Sequence, residues 1–142
     1  MLRLIFFILA TAICSTKTEA CEKNAIVIIN DLGPGRILQY HCRYTKKDLG
    51  VQHLNFHAIK TIHLQDEGKN ITKWHCLFKQ GLNMRYRNYV EAYSQNTEAP
   101  QCGQVRVWTA RMSGIWFKIS YNNPSGRYIR GWKYWKRVLI FL

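Results

Sequence analysis

The sequence predicts an all-β protein, an antiparallel β-sandwich of about seven to eight short strands stapled by disulfides. Apolar residues recur mostly at every second position, which suits half-buried strands. The alternating segments follow one another with no helical crossover, separated by clusters rich in Gly, Pro, Asn and Asp. Cysteines are even in number once a leader is set aside, the usual mark of a disulfide framework in an exported chain.

That leader is residues 1–20. Arg3 supplies a positive start, Leu4 to Ile13 is uncharged and apolar, and Thr18-Glu19-Ala20 places small residues three and one positions before a cut. As a helix the apolar run rises only about 15 Å, half a bilayer core, too little for a membrane anchor. A lipidated cysteine is not expected either, because Cys21 lacks the usual apolar lipobox before it. Cleavage after Ala20 leaves 122 of 142 residues, removes Arg3, Lys17 and Glu19, and lowers the net charge from +13 to +12. Cys14 departs, while Cys21, Cys42, Cys76 and Cys102 remain. Two bridges contribute about 2–4 kcal/mol each, a large share for one small domain, here 21–142. No CxxC pair or Cys/His cluster points to zinc, and no cofactor is expected. Asn70-Ile71-Thr72 is a glycosylation sequon, meaningful in an exported protein.

The β-branched run Ala25–Asn30 ends at Asp31-Leu32-Gly33-Pro34-Gly35, which must turn, and Arg36–Tyr44 then alternates. These two segments look like a hairpin. Thr45-Lys46-Lys47-Asp48-Leu49-Gly50 breaks the pattern as a polar turn. Further strands are expected at Ala58–Leu64, Thr72–Phe78, Met84–Tyr93, Val105–Arg111 and Gly114–Ser120. In Met84–Tyr93 an amphipathic helix competes, but Tyr and Val favour a strand, with Arg85, Arg87, Tyr89, Glu91 and Tyr93 on one face. After the turn Asn122–Gly126 comes a basic, aromatic C-terminal segment within 121–142. Its last five residues, Val138–Leu142, are too few to span a membrane and read as an edge strand or a disordered tail.

Four local signatures stand in fixed order: Ile26–Asn30 with Leu32 beyond it, His41-Cys42 with Asp48-Leu49-Gly50, Trp74-His75-Cys76, and Val107-Trp108-Thr109-Ala110-Arg111 leading into Gly114-Ile115-Trp116. The series resembles the plant self-incompatibility protein family, also called S-protein homologues. The resemblance covers residues 24 to 120. It implies a secreted β-sandwich with conserved disulfides and no known catalysis, whose founding members are pistil-secreted ligands of a pollen membrane receptor. Two departures matter. The family usually has a second cysteine two residues before the last signature's tryptophan, where Arg106 stands, so a bridge is lost or rerouted. We expect Cys76 to pair with Cys102, which leaves Cys42 to Cys21. In the hairpin centred on Gly33-Pro34 those last two lie about 13 Å apart, so the N-terminus has to curl back. Lys46-Lys47 replaces a stretch often acidic in relatives, which makes Lys46, Lys47 and Asp48 the candidate recognition loop.

Histidines 41, 53, 57, 63 and 75 invite a nuclease or metal reading. His41 and His75 each adjoin a cysteine on a strand and fit half-buried or surface positions, so no catalytic or metal role is expected. The mature chain's seven acidic residues make a glycosidase pair improbable, and no phosphate loop, Gly-x-Ser-x-Gly or dinucleotide fingerprint occurs. Arg127, Arg130, Trp132, Lys133, Trp135, Lys136 and Arg137 are candidate polyanion contacts, because cations beside aromatics suit anionic lipid, acidic glycan or nucleic acid. A final strand with packed aromatics and solvated charges explains them equally well. The expected function is a secreted, monomeric recognition ligand for a cell-surface receptor, in self-incompatibility or related plant cell–cell signalling, with no specific nucleic acid. The alternative is a cationic effector acting on membranes or cell-wall polyanions. Mass spectrometry of the mature protein is expected to show a start at Cys21 and no free thiol; two free thiols would defeat the bridge argument.

Overall fold

The computed structural model describes residues 24–64, 72–95, 103–119 and 126–136. Among them ten strands form: β1 (Asn24–Asp31), β2 (Leu38–Tyr44), β3 (Lys47–Leu54), β4 (Ile59–Leu64), β5 (Lys73–Gln80), β6 (Tyr86–Ser94), β7 (Val105–Arg111), β8 (Gly114–Ile119), β9 (Arg127–Arg130) and β10 (Lys133–Tyr134). One 3-10 turn, Leu82–Met84, joins β5 to β6. The first sheet has the order β4-β1-β7-β8-β9 and the second β10-β6-β5-β2-β3. Every pairing is antiparallel except β1 with β7.

The core lies between the sheets. Ile26, Ile28, Trp108, Ala110 and Ile115 of the first meet Tyr40, Trp74, Phe78, Val90 and Ala92 of the second. Most strands bury alternate residues, as in β5, where Trp74, Cys76, Phe78 and Gln80 are buried and Lys73, His75, Leu77 and Lys79 are not. β1 differs: Asn24 through Ile28 are all buried. A strand covered on both faces reads as a continuous β-branched run, which accounts for Ile26-Val27-Ile28-Ile29.

Two expectations are corrected. β1 and β2 form no hairpin, because they belong to different sheets. The chain crosses between them through Leu32–Ile37, where Gly33 (φ 126°) and Gly35 (φ 70°) take backbone angles that side chains rarely tolerate. The segment from Thr45 is not all turn either. Only Thr45 and Lys46 turn, since Tyr44 already pairs with Lys47 across a tight hairpin. β3 went unnoticed because it is an exposed edge strand with little apolar alternation, Val51 being 54% exposed.

The disulfide is also corrected. Cys42 bridges Cys76, with Cα atoms 4.1 Å apart, rather than Cys76 pairing with Cys102 and Cys42 with Cys21. The physical reason is the strand order: β2's neighbours are β3 and β5, and the β2–β5 register sets Cys42 directly opposite Cys76. Cys21 and Cys102 lie outside the described residues, as do Asn70, Arg137 and the expected leader.

Near its end the chain visits both sheets. β9 pairs with β8 on the edge of the first, and β10 pairs with β6 on the edge of the second. Between them, Trp132 packs against the core and donates from Nε1 to Arg111 O at 2.8 Å, while Asn88 Nδ2 donates to Gly131 O at 3.1 Å. Gly114 makes this close approach feasible. A Cβ there would collide with Arg130 O and sit 2.9 Å from Gly131 Cα. The segment is therefore a strap across the sandwich, and cutting it away removes two strands.

At the crossover end, Asn30 is wholly buried. Its Nδ2 donates to Arg36 O at 2.9 Å and Leu54 O at 2.8 Å, and its Oδ1 accepts from Leu32 N–H at 3.0 Å. Asn30→Ala is expected to cost about 3 kcal/mol, three bonds at about 1 kcal/mol each. Urea unfolding measures it, and a loss under about 1 kcal/mol would contradict this role.

Candidate functional site

The outer face of the second sheet carries the densest set of polar and aromatic side chains. Residues opposite one another across antiparallel strands share a face, so the registers define three rows. Lys133, Arg87, Lys79, Gln39 and His53 form the first, and Tyr89, Leu77, His41 and Val51 the second. Glu91, His75, Arg43 and Asp48 form the third. Two clefts open at diagonal corners of this face.

The first corner centres on Lys46, Lys47 and Asp48, all exposed. A depression of about 700 Å³ gathers them with Arg43, His75 and Tyr89. Its shape comes from a β-bulge: His41 pairs with Val51 and Arg43 with Asp48, so Leu49 and Gly50 together oppose Cys42. Gly50 takes φ 71° there. Asp48 Oδ1 accepts the Gly50 N–H at 2.7 Å and lies 2.6 Å from His41 Nε2. The Gly50 hydrogen bond, and then the one to His41, hold the Asp48 carboxyl below the usual carboxylate range. Leu49 meanwhile packs against the core. Asp48-Leu49-Gly50 thus works as a unit: a carboxylate that ties the bulge, an apolar anchor and a residue free to take positive φ. Beside it, the His75 ring stacks on Tyr89 with centroids 5.4 Å apart, and His75 Nε2 is 3.8 Å from Glu91.

The second corner centres on Trp135, which is 51% exposed. The Arg87 guanidinium lies 3.4 Å from its ring centroid, a cation–π contact. Trp135 N–H donates to Arg85 O at 2.8 Å, and Arg85 Nη1 donates to Tyr134 OH at 3.0 Å. A cleft of about 430 Å³ is lined by Lys79, Asn83, Met84, Arg85, Arg87 and Trp135.

The basic C-terminal residues therefore do not act as one patch. Lys133, Trp135 and Lys136 are exposed at the second-sheet edge, Arg127 and Arg130 lie on β9 in the first sheet, and Trp132 is partly buried in the strap. Lys79, Arg85 and Arg87, which line the cleft with Trp135, were not among the expected contacts. The alternation of Arg85, Arg87, Tyr89 and Glu91 was the signal, and only the β10–β6 pairing connects it to the tail. His41, His53 and His75 share the outer face, His63 sits on β4 and His57 in the turn before it. No group of three or more metal-ligating side chains gathers among the described residues.

A substitution series at the bulge tests this account. Gly50→Ala meets no neighbour within 4 Å, so its cost is the left-handed backbone alone, about 1–2 kcal/mol, with Gly50→Asn milder. Because the folded Asp48 carboxyl is depressed, its stabilisation is present above the unfolded-state value and is lost as pH falls through the folded one. Asp48→Asn is expected to flatten that part of the acid unfolding curve. An unchanged curve would show that the carboxylate does not tie the bulge.

Comparison with known proteins follows the same outline. The family model described as plant self-incompatibility protein S1 matches residues 25–132. S-protein homolog 15 of Arabidopsis thaliana is 48% identical over 88% of this chain and 95% of its own length. S-protein homolog 25 of the same plant is 45% identical over 87% and 92%. A solved structure described as an SPH (self-incompatibility protein homologue), from a widespread family of small, highly stable, secreted plant proteins, superposes with a TM-score of 0.67. It is 42% identical and covers 80% of this chain and 96% of its own. With that match over residues 25–132, from β1 through β9, the chain belongs to the plant self-incompatibility S1 family, the secreted S-protein homologues.

Proposed function

We propose that the protein is a secreted recognition ligand whose Lys46–Asp48 corner binds a cell-surface receptor protein. The observation that carries this reading is the contrast within that corner. The backbone is fixed by the bulge and by the Asp48–Gly50 hydrogen bond, while Lys46 and Lys47 project from it exposed. Side chains displayed on a rigid scaffold recognise a partner without a large ordering cost. The family is not known for enzymatic activity, which fits a protein that acts by binding. Its role lies in self-incompatibility or a related form of cell–cell recognition between plant cells. The protein works as a monomer in this reading.

Surface binding of the labelled protein to plant protoplasts is the test. Binding is expected to saturate, to be competed by unlabelled protein, and to disappear after protease treatment of the cells. Lys46→Glu/Lys47→Glu is expected to compete at least about tenfold less well, since two rim charges are reversed. Protease-resistant binding, or an undiminished double variant, would sink the receptor reading; the first outcome would favour a cationic effector acting on lipid or wall polyanions.

A further inference from the structure

At the opposite corner of the same face, three cations oppose one another across three strands. Lys133 pairs with Arg87, and Arg87 pairs with Lys79. Cross-strand partners stand with Cβ atoms about 5 Å apart, and like charges so placed destabilise a sheet. Arg85 adds a fourth cation two residues from Arg87, and no carboxylate lines the cleft among the described residues. The Asp48 corner is built otherwise, with Asp48 against His41 and Glu91 near His75. Nothing in the fold gains from the repulsion at the Trp135 corner. A bound anion would relieve it.

The cations are also held in place. Arg87 lies flat against Trp135 and Arg85 reaches Tyr134 OH, so neither guanidinium has to be ordered when a ligand arrives. A guanidinium presents paired N–H donors that match a planar or tetrahedral oxyanion. Half-exposed Trp135 supplies flat apolar surface beside those donors. The cleft is concave and large enough for a few sugar rings. A bilayer would need a protruding apolar surface, and here the apolar lining is confined to Met84 and Trp135. A nucleic acid strand would need several aromatic rings for successive bases to stack on, and Trp135 is the single aromatic side chain lining the cleft among the described residues. We propose that this cleft, formed by Lys79, Arg85, Arg87 and Trp135, is a binding site for an acidic oligosaccharide, whose carboxylate or sulfate groups sit among the three cations while a sugar ring lies on the aromatic edge. The site is separate from the Lys46–Asp48 corner and stands whether or not that corner meets a receptor.

Titration calorimetry at physiological salt tests it with three probes: a short oligogalacturonate, its fully methyl-esterified and therefore uncharged form, and a sulfated oligosaccharide of similar length. Binding of an acidic probe and not of the ester is expected. Arg85→Gln/Arg87→Gln is expected to weaken it at least about tenfold, and Lys79→Gln several-fold. The charge-matched control Lys60→Gln/Arg127→Gln, on the first sheet, is expected to bind within about twofold of the parent protein. Since the double arginine variant also loses contacts to the strap, Lys79→Gln is the decisive one. Without ligand its melting temperature is expected to hold or rise, because a repulsion is removed. Four results would overturn the proposal: no binding of either acidic probe, equal binding of the ester, an equal loss in the first-sheet control, or a lower melting temperature for Lys79→Gln. Binding to anionic phospholipid vesicles through these residues, with none to the saccharides, would overturn it too.

Discussion

The fold hinges on one buried amide. At the end of the sandwich where Asn30 sits, the chain leaves the first sheet for the second after β1 and returns after β3. Both passages leave backbone groups that no strand satisfies gathered around the buried Asn30 side chain. Asn30 meets them from a single side chain, accepting from Leu32 and donating to Arg36 and Leu54, while its own N–H donates to Ala58 O and its C=O accepts from His57. An apolar residue of the same size would leave several of these groups unpaired at once. The sheet order, and through it the opposition of Cys42 and Cys76, follows from where that junction sends β2.

The other end of the problem is the free edges. A five-stranded sheet offers two, and an uncovered edge invites pairing with another chain. The strap supplies one edge strand to each sheet from a single stretch of chain, and both are short, β9 of four residues against β8 and β10 of two against β6. Trp132 is the pivot, packed on the core and bonded to Arg111 O. The aromatic and basic character of this segment therefore has two origins. Trp132 is needed by the fold. Trp135 is half in solvent, and its fixed partners are arginines contributed by or just before β6.

Much of this was legible in the residue order. Val105–Arg111 forms a strand over the expected range, and six other expected strands end within two residues of where they were placed. Alternation is a local property, and local sequence carries it. Strand order is not local. Nothing in Ala25–Tyr44 says that the turn at Gly33-Pro34 changes sheets rather than reversing within one, and nothing local says that β2 lies beside β5, so neither the crossover nor the Cys42–Cys76 bridge could be read from it. β3 was hidden for a different reason: an exposed edge strand buries so little that its pattern resembles a loop. The site suffered from the same limit. Arg85 and Arg87 were visible as one face of a strand, and Trp135 as part of a basic tail, but only the register joins them.

A net charge of +13 gives this protein an attraction for any polyanion, screened within about a Debye length of 8 Å at physiological salt. What separates a site from a sticky surface is how much each cation has already given up. Lys46 and Lys47 stand exposed beside the hairpin turn, on a backbone that the bulge fixes. The guanidiniums of Arg85 and Arg87 are held in place, one by a tyrosine hydroxyl and one by an indole face. The first pair suits a partner with a complementary surface of its own. The second suits a small ligand that brings only charge and a flat ring. One sheet face thus offers two kinds of recognition at opposite corners, distinguished by how the cations are held and by the carboxylates that temper only one of them.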